Sequence, residues 1–544
     1  MHEISTQIVA LADYKKIRRV DGFERISSEY PIYLTDESKL SPEPFDHLFF
    51  PADESELAAI LNEMVSRKIN VTIAGARTGL VGGCVPRQGA LVSLENFDRV
   101  QAVYYDQPAG EWCIRCQCAV NLRSLNSQIS SKNFPDIERC GDPSALNALH
   151  NFKQDPAVYF YPPDPTEMSA SLGGTVATNA SGARTYRYGP TRGWVRGIRV
   201  MLMNGRILNI PRGKYFASPG GGFTVYDSKG NDMIINLPSY HMPRTKNTSG
   251  FFTAPQMDLI DLFIGSEGSF GVITEVTVAL LHRKETISLV QFLKSDEQAI
   301  DLVYALRNEK RIQLNFLEFY SGKALALMRR MQTRNPKAVD IPIIPERAGA
   351  ALFFEFGFAP MADSLDYTAL EHTIKGCGAS ISDSWAAYEN REVQRLKDFR
   401  HILPETVHAI IAERKKQHPE LHKLGTDLAV PDDRLRDMWR IYKNALDEAD
   451  LQWVALGHIG NNHIHINILP RNGVELKKGL KLYKQFAAKA IEFGGTVSAE
   501  HGIGKLKIKF LELMYSPDQI DEMRAVKLAF DPECLLNPGN VFRN

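Results

Sequence analysis

An α+β fold of two or three lobes is what this sequence predicts, and three observations predict it. The chain has 544 residues, of which 44% are apolar and 24% charged; at about 150 residues per unit, such a globular composition gives more than one core. Short β-prone runs are interspersed with amphipathic helical stretches, with no internal repeat of fixed period. No Pro/Gly/Ser-rich linker sets off the part after about residue 285 from what precedes it, so the second lobe is expected to pack tightly on the first.

The elements follow in order. In DESELAAILNEMVSRKI, Leu57, Ile60, Leu61 and Met64 recur at helical spacing and Asp53 stands where an N-cap belongs. VTIAG is a short β-branched run that opens into the glycine-punctuated ARTGLVGG, the turn chemistry that follows a buried strand. Between residues 197 and 250, β-prone pieces are separated by Asn-Gly, Gly-Gly and Lys-Gly-Asn turns, which predicts hairpins. AALFFEFGFAP and other strand candidates then alternate with longer helices.

Composition narrows the function. Lys plus Arg and Asp plus Glu each total 64, for a formal net charge of zero, so no global field favours nucleic acid or an anionic membrane. The N-terminus lacks a secretory pattern and no run of about 18 apolar residues occurs. A cytoplasmic protein is expected, with peripheral attachment at the inner membrane still compatible. Seven cysteines do not make a disulfide scaffold. Cys113, Cys116 and Cys118 fall in a strand-like alternation, with Cys116 and Cys118 sharing a face with Ile114, and are read as buried apolar positions, not as metal ligands.

Three glycine-rich pieces carry the binding chemistry. TIAGARTGLVGG places Gly75, Gly79 and Gly82 beside Thr78 at a strand end, where backbone amides can converge on phosphate oxygens. A bare turn would give the same signature. The second piece, PPDPTEMSASLGGTVATNASGARTYRYG, is dense in small and hydroxyl residues, and the third, LFIGSEGSFGVITEVTV, precedes a clear strand. Three separated pieces imply one large polar cofactor. Neither the dinucleotide fingerprint nor the P-loop pattern is present.

The C-terminal part offers a candidate metal site. From Asn462 onward, Ile464, Ile466 and Ile468 alternate with His463, His465 and Asn467, which aligns polar groups opposite an apolar face. His458 precedes a Gly460-Asn461-Asn462 turn able to fold it back towards His465, and SAEHGIGK supplies Glu500 and His501. Two histidines, a carboxylate and a spare histidine form the ligand set of an open catalytic site. Hydrogen-bonded structural histidines are the alternative.

Taken together, TIAGARTGLVGGCVP, LGGTVATNASG, FIGSEGSFGVIT, the GHxGxxxxH and AEHG patterns and DPECLLNPGNVF resemble, over roughly residues 45 to 544, the FAD-binding flavoproteins of the vanillyl-alcohol oxidase superfamily. The nearest pattern is the D-lactate, D-2-hydroxyglutarate and glycolate dehydrogenase branch. The resemblance implies a two-subdomain FAD-binding domain of the PCMH type at residues 45–284, after an N-terminal arm at 1–44. It implies an α+β substrate domain with an antiparallel sheet at 285–505, and a segment at 506–544 returning to the FAD domain. FAD would be held by Gly75, Ala76, Arg77, Thr78, Gly79, Leu80 and Gly82, by Leu172, Gly173, Gly174, Thr178, Ser181 and Gly182, and by Glu267, Gly271 and Ile273. The first loop has no histidine for a covalent link, so non-covalent FAD is expected.

By the same resemblance, His458, His465 and Glu500 would bind a divalent metal, zinc or manganese, and His501 would be the base. His463 stands where the branch commonly has a non-ligand, and its role is open. Arg400 and Asn467 would bind a D-2-hydroxy acid, with Lys423 close by. Pro404 and Gly425 stand where the diacid-specific relatives have a threonine and a lysine, which weakens the case for a second-carboxylate pocket. The acceptor would be a quinone, a cytochrome, an electron-transfer flavoprotein or oxygen. Two other readings carry weight: a non-redox alkyl transferase on the same FAD fold, and an FAD-binding subunit of a larger oxidase. A homodimer is compatible with all three.

Overall fold

The computed structural model describes residues 4–226, 232–332, 341–357 and 364–543. The expected helix forms over Glu54–Ser66, with the Asp53 carboxylate accepting the Glu56 N–H at its start, one of the donors a helix leaves without an internal partner. Its apolar stripe is buried beneath a four-stranded sheet ordered Arg19–Asp21, His47–Phe49, Ala90–Ser93, Val71–Ala74. The last three strands are parallel, so the first glycine-rich loop leaves the carboxyl end of Val71–Ala74.

A five-stranded antiparallel sheet stands beside it, in the order Ile207–Pro211, Val195–Met201, Val272–Ala279, Glu111–Gln117, Val100–Asp106. The first predicted hairpin turns at Asn204-Gly205, with Gly205 at φ +72°, the left-handed conformation such turns need. A second, Gly222–Tyr226 with Asp232–Asn236, pairs antiparallel; its Lys-Gly-Asn turn lies outside the described residues, as does the end of AALFFEFGFAP. Cys113, Cys116 and Cys118 are buried in or just beyond Glu111–Gln117, and all seven cysteines are free thiols. Burial pushes the Cys113 and Cys118 thiols up to about 12, and no potential metal-holding cluster among the described residues includes a cysteine.

The second lobe is built on a seven-stranded antiparallel sheet. Its order is Ser384–Ala387, Thr286–Leu293, Ala350–Gly357, Leu314–Ser321, Trp453–Gly457, His465–Ile468, Leu424–Gly425. Every residue of Leu314–Ser321 is buried, including Glu318, whose charge needs a partner there. Helix Asn390–Lys415 packs on this sheet and carries Arg400. Its internal Pro404 lacks the N–H that would otherwise bond the Arg400 carbonyl. No helix among the described residues is long and apolar enough to cross a membrane. At the C-terminus, Asn537 N–H donates to the Val71 carbonyl and Val71 N–H to the Leu535 carbonyl, so this stretch extends the four-stranded sheet at the strand that launches the first loop.

The sheets and loops approach one another closely. At Gly182 a Cβ would lie 1.7 Å from the Asp164 carbonyl oxygen, a backbone atom that cannot swing away. Gly182→Ala should therefore cost about 3 kcal/mol or more through forced backbone displacement, measured as a lower denaturant midpoint; an unchanged midpoint would show that the 164–182 contact is not tight.

Candidate active site

A cavity of about 660 Å³ lies where the glycine-rich loops meet the seven-stranded sheet, within the size range of cofactor sites. Its wall includes Gly75, Ala76, Arg77, Thr78, Gly79 and Leu80 of the first piece. The second contributes Gly173, Gly174, Thr178 and Ser181, and the third Glu267, Gly271 and Ile273. Gly82, Leu172 and Gly182 stand behind it. The Gly82 carbonyl accepts from Lys505 Nζ at 3.2 Å, Leu172 is fully buried, and Gly182 abuts Asp164. Ser171, outside the set of residues expected from sequence, joins the first two pieces: its Oγ is 3.4 Å from Ala76 N and 2.7 Å from where a Gly75 Cβ would be.

At the far end of the cavity His458, His465 and Glu500 reach the wall, and His463 is buried behind them. Strand Trp453–Gly457 ends at His458, whose carbonyl accepts from both Asn461 N–H and His463 N–H, folding the chain back into His465–Ile468. Arg307 pins that turn through the Gly460 carbonyl and Asn462 Oδ1. Gly457, at φ +131°, has no Cβ to block the His465 ring, which would sit 2.8 Å from one. The ligand atoms of His458, His463, His465 and Glu500 all lie within 4.8 Å of one another. His458 Nε2 is 3.2 Å from Glu500 Oε1, and His465 Nε2 is 3.5 Å from Glu500 Oε2.

Two buried residues outside the predicted set hold this group. Lys246 Nζ donates to Glu500 Oε1 at 2.5 Å. Asp427 accepts from the backbone N–H groups of Glu500 and His501, from Ser498 Oγ and from Lys507 Nζ, and its Oδ2 lies 3.3 Å from His501 Nδ1. His501 lines the cavity and is partly exposed. Just beyond it, Glu267 accepts the N–H groups of Ile503 and Gly504 at 2.6 and 2.7 Å, so a residue expected at the cofactor also anchors the loop that carries His501.

Arg400 lines the same cavity, with its Nε 3.5 Å from Glu318 Oε2 and its Nη2 donating to Thr166 Oγ1. Glu318 Oε1 in turn meets His458 Nδ1 at 2.5 Å. Glu318 thus bridges the arginine and the first histidine; a lone acid in the apolar run QLNFLEFYS is the signal that could have found it. Asn467 is buried beside Gly425 and is not part of the cavity wall. Nor is Lys423, whose neighbour His408 is.

The electrostatics fit a cation-binding centre. Burial opposes ionisation of Glu318, but Arg400 and His458 outweigh it and bring the carboxyl down to about 2. The same contest holds Glu500 well below the carboxylate range, with His458 and Lys246 prevailing, and Asp427 likewise through His501 and Lys507. Burial, reinforced by His465, pushes His463 well below the usual imidazole range, which keeps it neutral, the form that ligates metals. Burial also lowers Lys423.

Residues 45–139 and 153–211 match an FAD binding domain, and residues 282–541 match the C-terminal domain of FAD linked oxidases. The chain belongs to the FAD-linked oxidases. It is 27% identical to a D-lactate dehydrogenase of Archaeoglobus fulgidus over 496 residues, covering 91% of this chain and 90% of that protein. It is 26% identical to a D-2-hydroxyglutarate dehydrogenase of Stutzerimonas stutzeri, covering 91% and 90%, and 25% identical to the glycolate oxidase subunit GlcD of Bacillus subtilis, covering 91% and 89%. Two solved structures of alkyldihydroxyacetonephosphate synthase superpose with TM-scores of 0.56 and 0.55 over 98% of this chain and 89% of theirs, at 12% identity. That likeness is one of fold. FAD is the cofactor of this FAD-linked oxidase, and the glycine-lined cavity is where its own residues can receive it.

Replacing the buried Glu318 by Gln keeps its shape and removes its charge from beside Arg400 and His458. The variant should lose about 3 kcal/mol of stability, visible as an earlier unfolding transition in denaturant; an unshifted transition would show that Arg400 is balanced elsewhere.

Proposed function

We propose that this FAD-linked oxidase removes a hydride and a proton from a D-2-hydroxy acid, giving the 2-oxo acid. The observation that carries the reading is the convergence, in one cavity, of three glycine-rich loops with a histidine–glutamate cluster, a half-buried arginine and a partly exposed histidine. Names of relatives that cover nine-tenths of the chain support the substrate class.

FAD, held without a covalent bond along Gly75–Leu80, the 173–181 segment and Glu267–Ile273, supplies the two-electron acceptor. His458, His465 and Glu500 fit a divalent ion such as zinc or manganese: their donors are mutually close, Glu500 is ionised, and the structure keeps one nitrogen of each ring facing the carboxylate. When bound, that ion lowers the pKa of a substrate hydroxyl. His501 takes the hydroxyl proton, with Asp427 next to Nδ1 leaving Nε2 as the accepting atom. Arg400 binds the substrate carboxylate through its guanidinium, which Glu318 and Thr166 hold in place. Asn467 and Lys423 stand behind the wall and are given no direct part in this reading. Electrons then pass to a quinone, a cytochrome, another flavoprotein or oxygen.

Anaerobic mixing of the purified flavoprotein with a panel of D- and L-2-hydroxy acids should bleach the oxidised-flavin band with one D-acid and with none of the L-acids. Failure of every acid, with FAD bound, would sink the reading and favour the alkyl-transferring or subunit alternatives. In a stopped-flow comparison, His501→Asn should keep its FAD yet reduce it about 100-fold more slowly, the usual scale for a general base. A wild-type rate of reduction would remove His501 from that role.

A further inference from the structure

His463 is the histidine that neither the family resemblance nor the mechanism above assigns. It is fully buried, and neither ring nitrogen has a hydrogen-bond partner. Asp427 Oδ1 lies beside Nε2, but no hydrogen bond takes the place of water at Nδ1, and a bare nitrogen at that depth calls for an explanation. Its ring stands 4.2 Å from that of His465 and 5.5 Å from that of His458, centroid to centroid.

The three imidazoles of the cluster obey one rule. His458 turns Nδ1 to the Glu318 carboxylate and Nε2 to Glu500. His465 turns Nδ1 to the Thr426 carbonyl and Nε2 to Glu500. His463 turns Nε2 to Asp427 Oδ1, 3.0 Å away though not aligned as a hydrogen bond, and Nδ1 to Glu500 Oε2 at 3.7 Å. Each ring therefore has one nitrogen at an outer oxygen and one facing the same carboxylate, the arrangement by which outer oxygens fix the tautomer and direction of metal-binding histidines. Glu500 takes part unevenly: Oε1 is held by Lys246, while Oε2 faces His463 and His465. Asp427 is no rival ligand, since Lys507, Ser498 and the His501 N–H occupy its Oδ2, while Oδ1, which accepts the Glu500 N–H, is the oxygen turned to His463.

We propose that His463 binds the metal through Nδ1 as a third imidazole beside His458, His465 and Glu500, with Asp427 as its orienting carboxylate. The inference rests on the metal reading above and sharpens it. Four protein donors saturate a tetrahedral ion and leave no place for substrate. A hydroxy acid that chelates through hydroxyl and carboxylate needs two more positions, so the site selects an ion that takes six ligands, such as manganese, over one that prefers four.

The test uses the full-length flavoprotein with cobalt(II) as the probe, read by X-ray absorption and by titration. The wild-type protein should bind one cobalt with three imidazoles and show the weak visible bands of a five- or six-coordinate ion. His463→Asn should show two imidazoles and bind cobalt at least about 100-fold more weakly, exceeding the usual loss of an outer partner, with its flavin spectrum unchanged. Two imidazoles in the wild-type protein, or equal affinity in the variant, would overturn the role of His463 and leave the three-residue site standing. The wild-type count decides the matter even if the variant does not fold. No cobalt bound by the wild-type protein would overturn the metal reading and this inference together.

Discussion

The ionised carboxylate of Glu500 is the constraint on which the site depends. A buried charge is tolerated only where partners replace the water it has lost. Here they come from three directions: Lys246 from the loop after the hairpins, His458 from the turn after Trp453–Gly457, and His465 from the strand that follows. None of these partners is near Glu500 in sequence, and Lys246 comes from the first lobe, so the full set of partners is assembled only when both lobes are folded and in contact. Its neighbours repeat the pattern. Glu318 is ionised because Arg400 and His458 flank it, and Asp427 because His501 and Lys507 do. The result is a network in which buried carboxylates alternate with nitrogen groups, each fixing the next.

A second constraint is steric. The loops come together as closely as they do because they lack Cβ atoms where backbones cross. Gly173 would otherwise drive a carbon to 2.5 Å from Cys118 Cβ, and Gly182 into the Asp164 carbonyl. This explains why some of the glycines expected at the cofactor stand behind the cavity. Gly82 and Gly182 shape the wall without forming its surface, and a glycine count in sequence does not separate the two duties.

Much of this was legible before the fold was known, and the reason is periodicity and turn chemistry. Asp53 and the 57–64 stripe marked a helix, and the 463–468 alternation marked a strand with a polar edge. The doublet at 500–501 and the three glycine pieces could be found because unusual residue types cluster locally. What stayed hidden came from single residues brought in over long distances. Lys246 lies in a polar loop with no pattern, and Ser171 looks like any small residue beside glycines. Glu318 was visible only as one acid in an apolar run. His463 carries no role legible in the sequence, because Asp427 and Glu500, the carboxylates it faces, are 36 residues before it and 37 after.

The position of His501 follows from these features jointly. Its loop is gripped at two points by buried carboxylates of opposite origin: Asp427, from beside the edge strand Leu424–Gly425, holds the N–H groups of Glu500 and His501, while Glu267, from the third glycine-rich piece, holds those of Ile503 and Gly504. One grip belongs to the cluster of histidines and the other to the cofactor loops. A base that must reach a substrate proton while the substrate carbon faces a flavin needs its place set relative to both. Since a misplacement of about 1 Å is enough to cost a large part of such a rate, two anchors are the least that can fix a loop in distance and in direction. Glu267 makes its grip from a left-handed backbone conformation, φ +53°, with both carboxylate oxygens engaged.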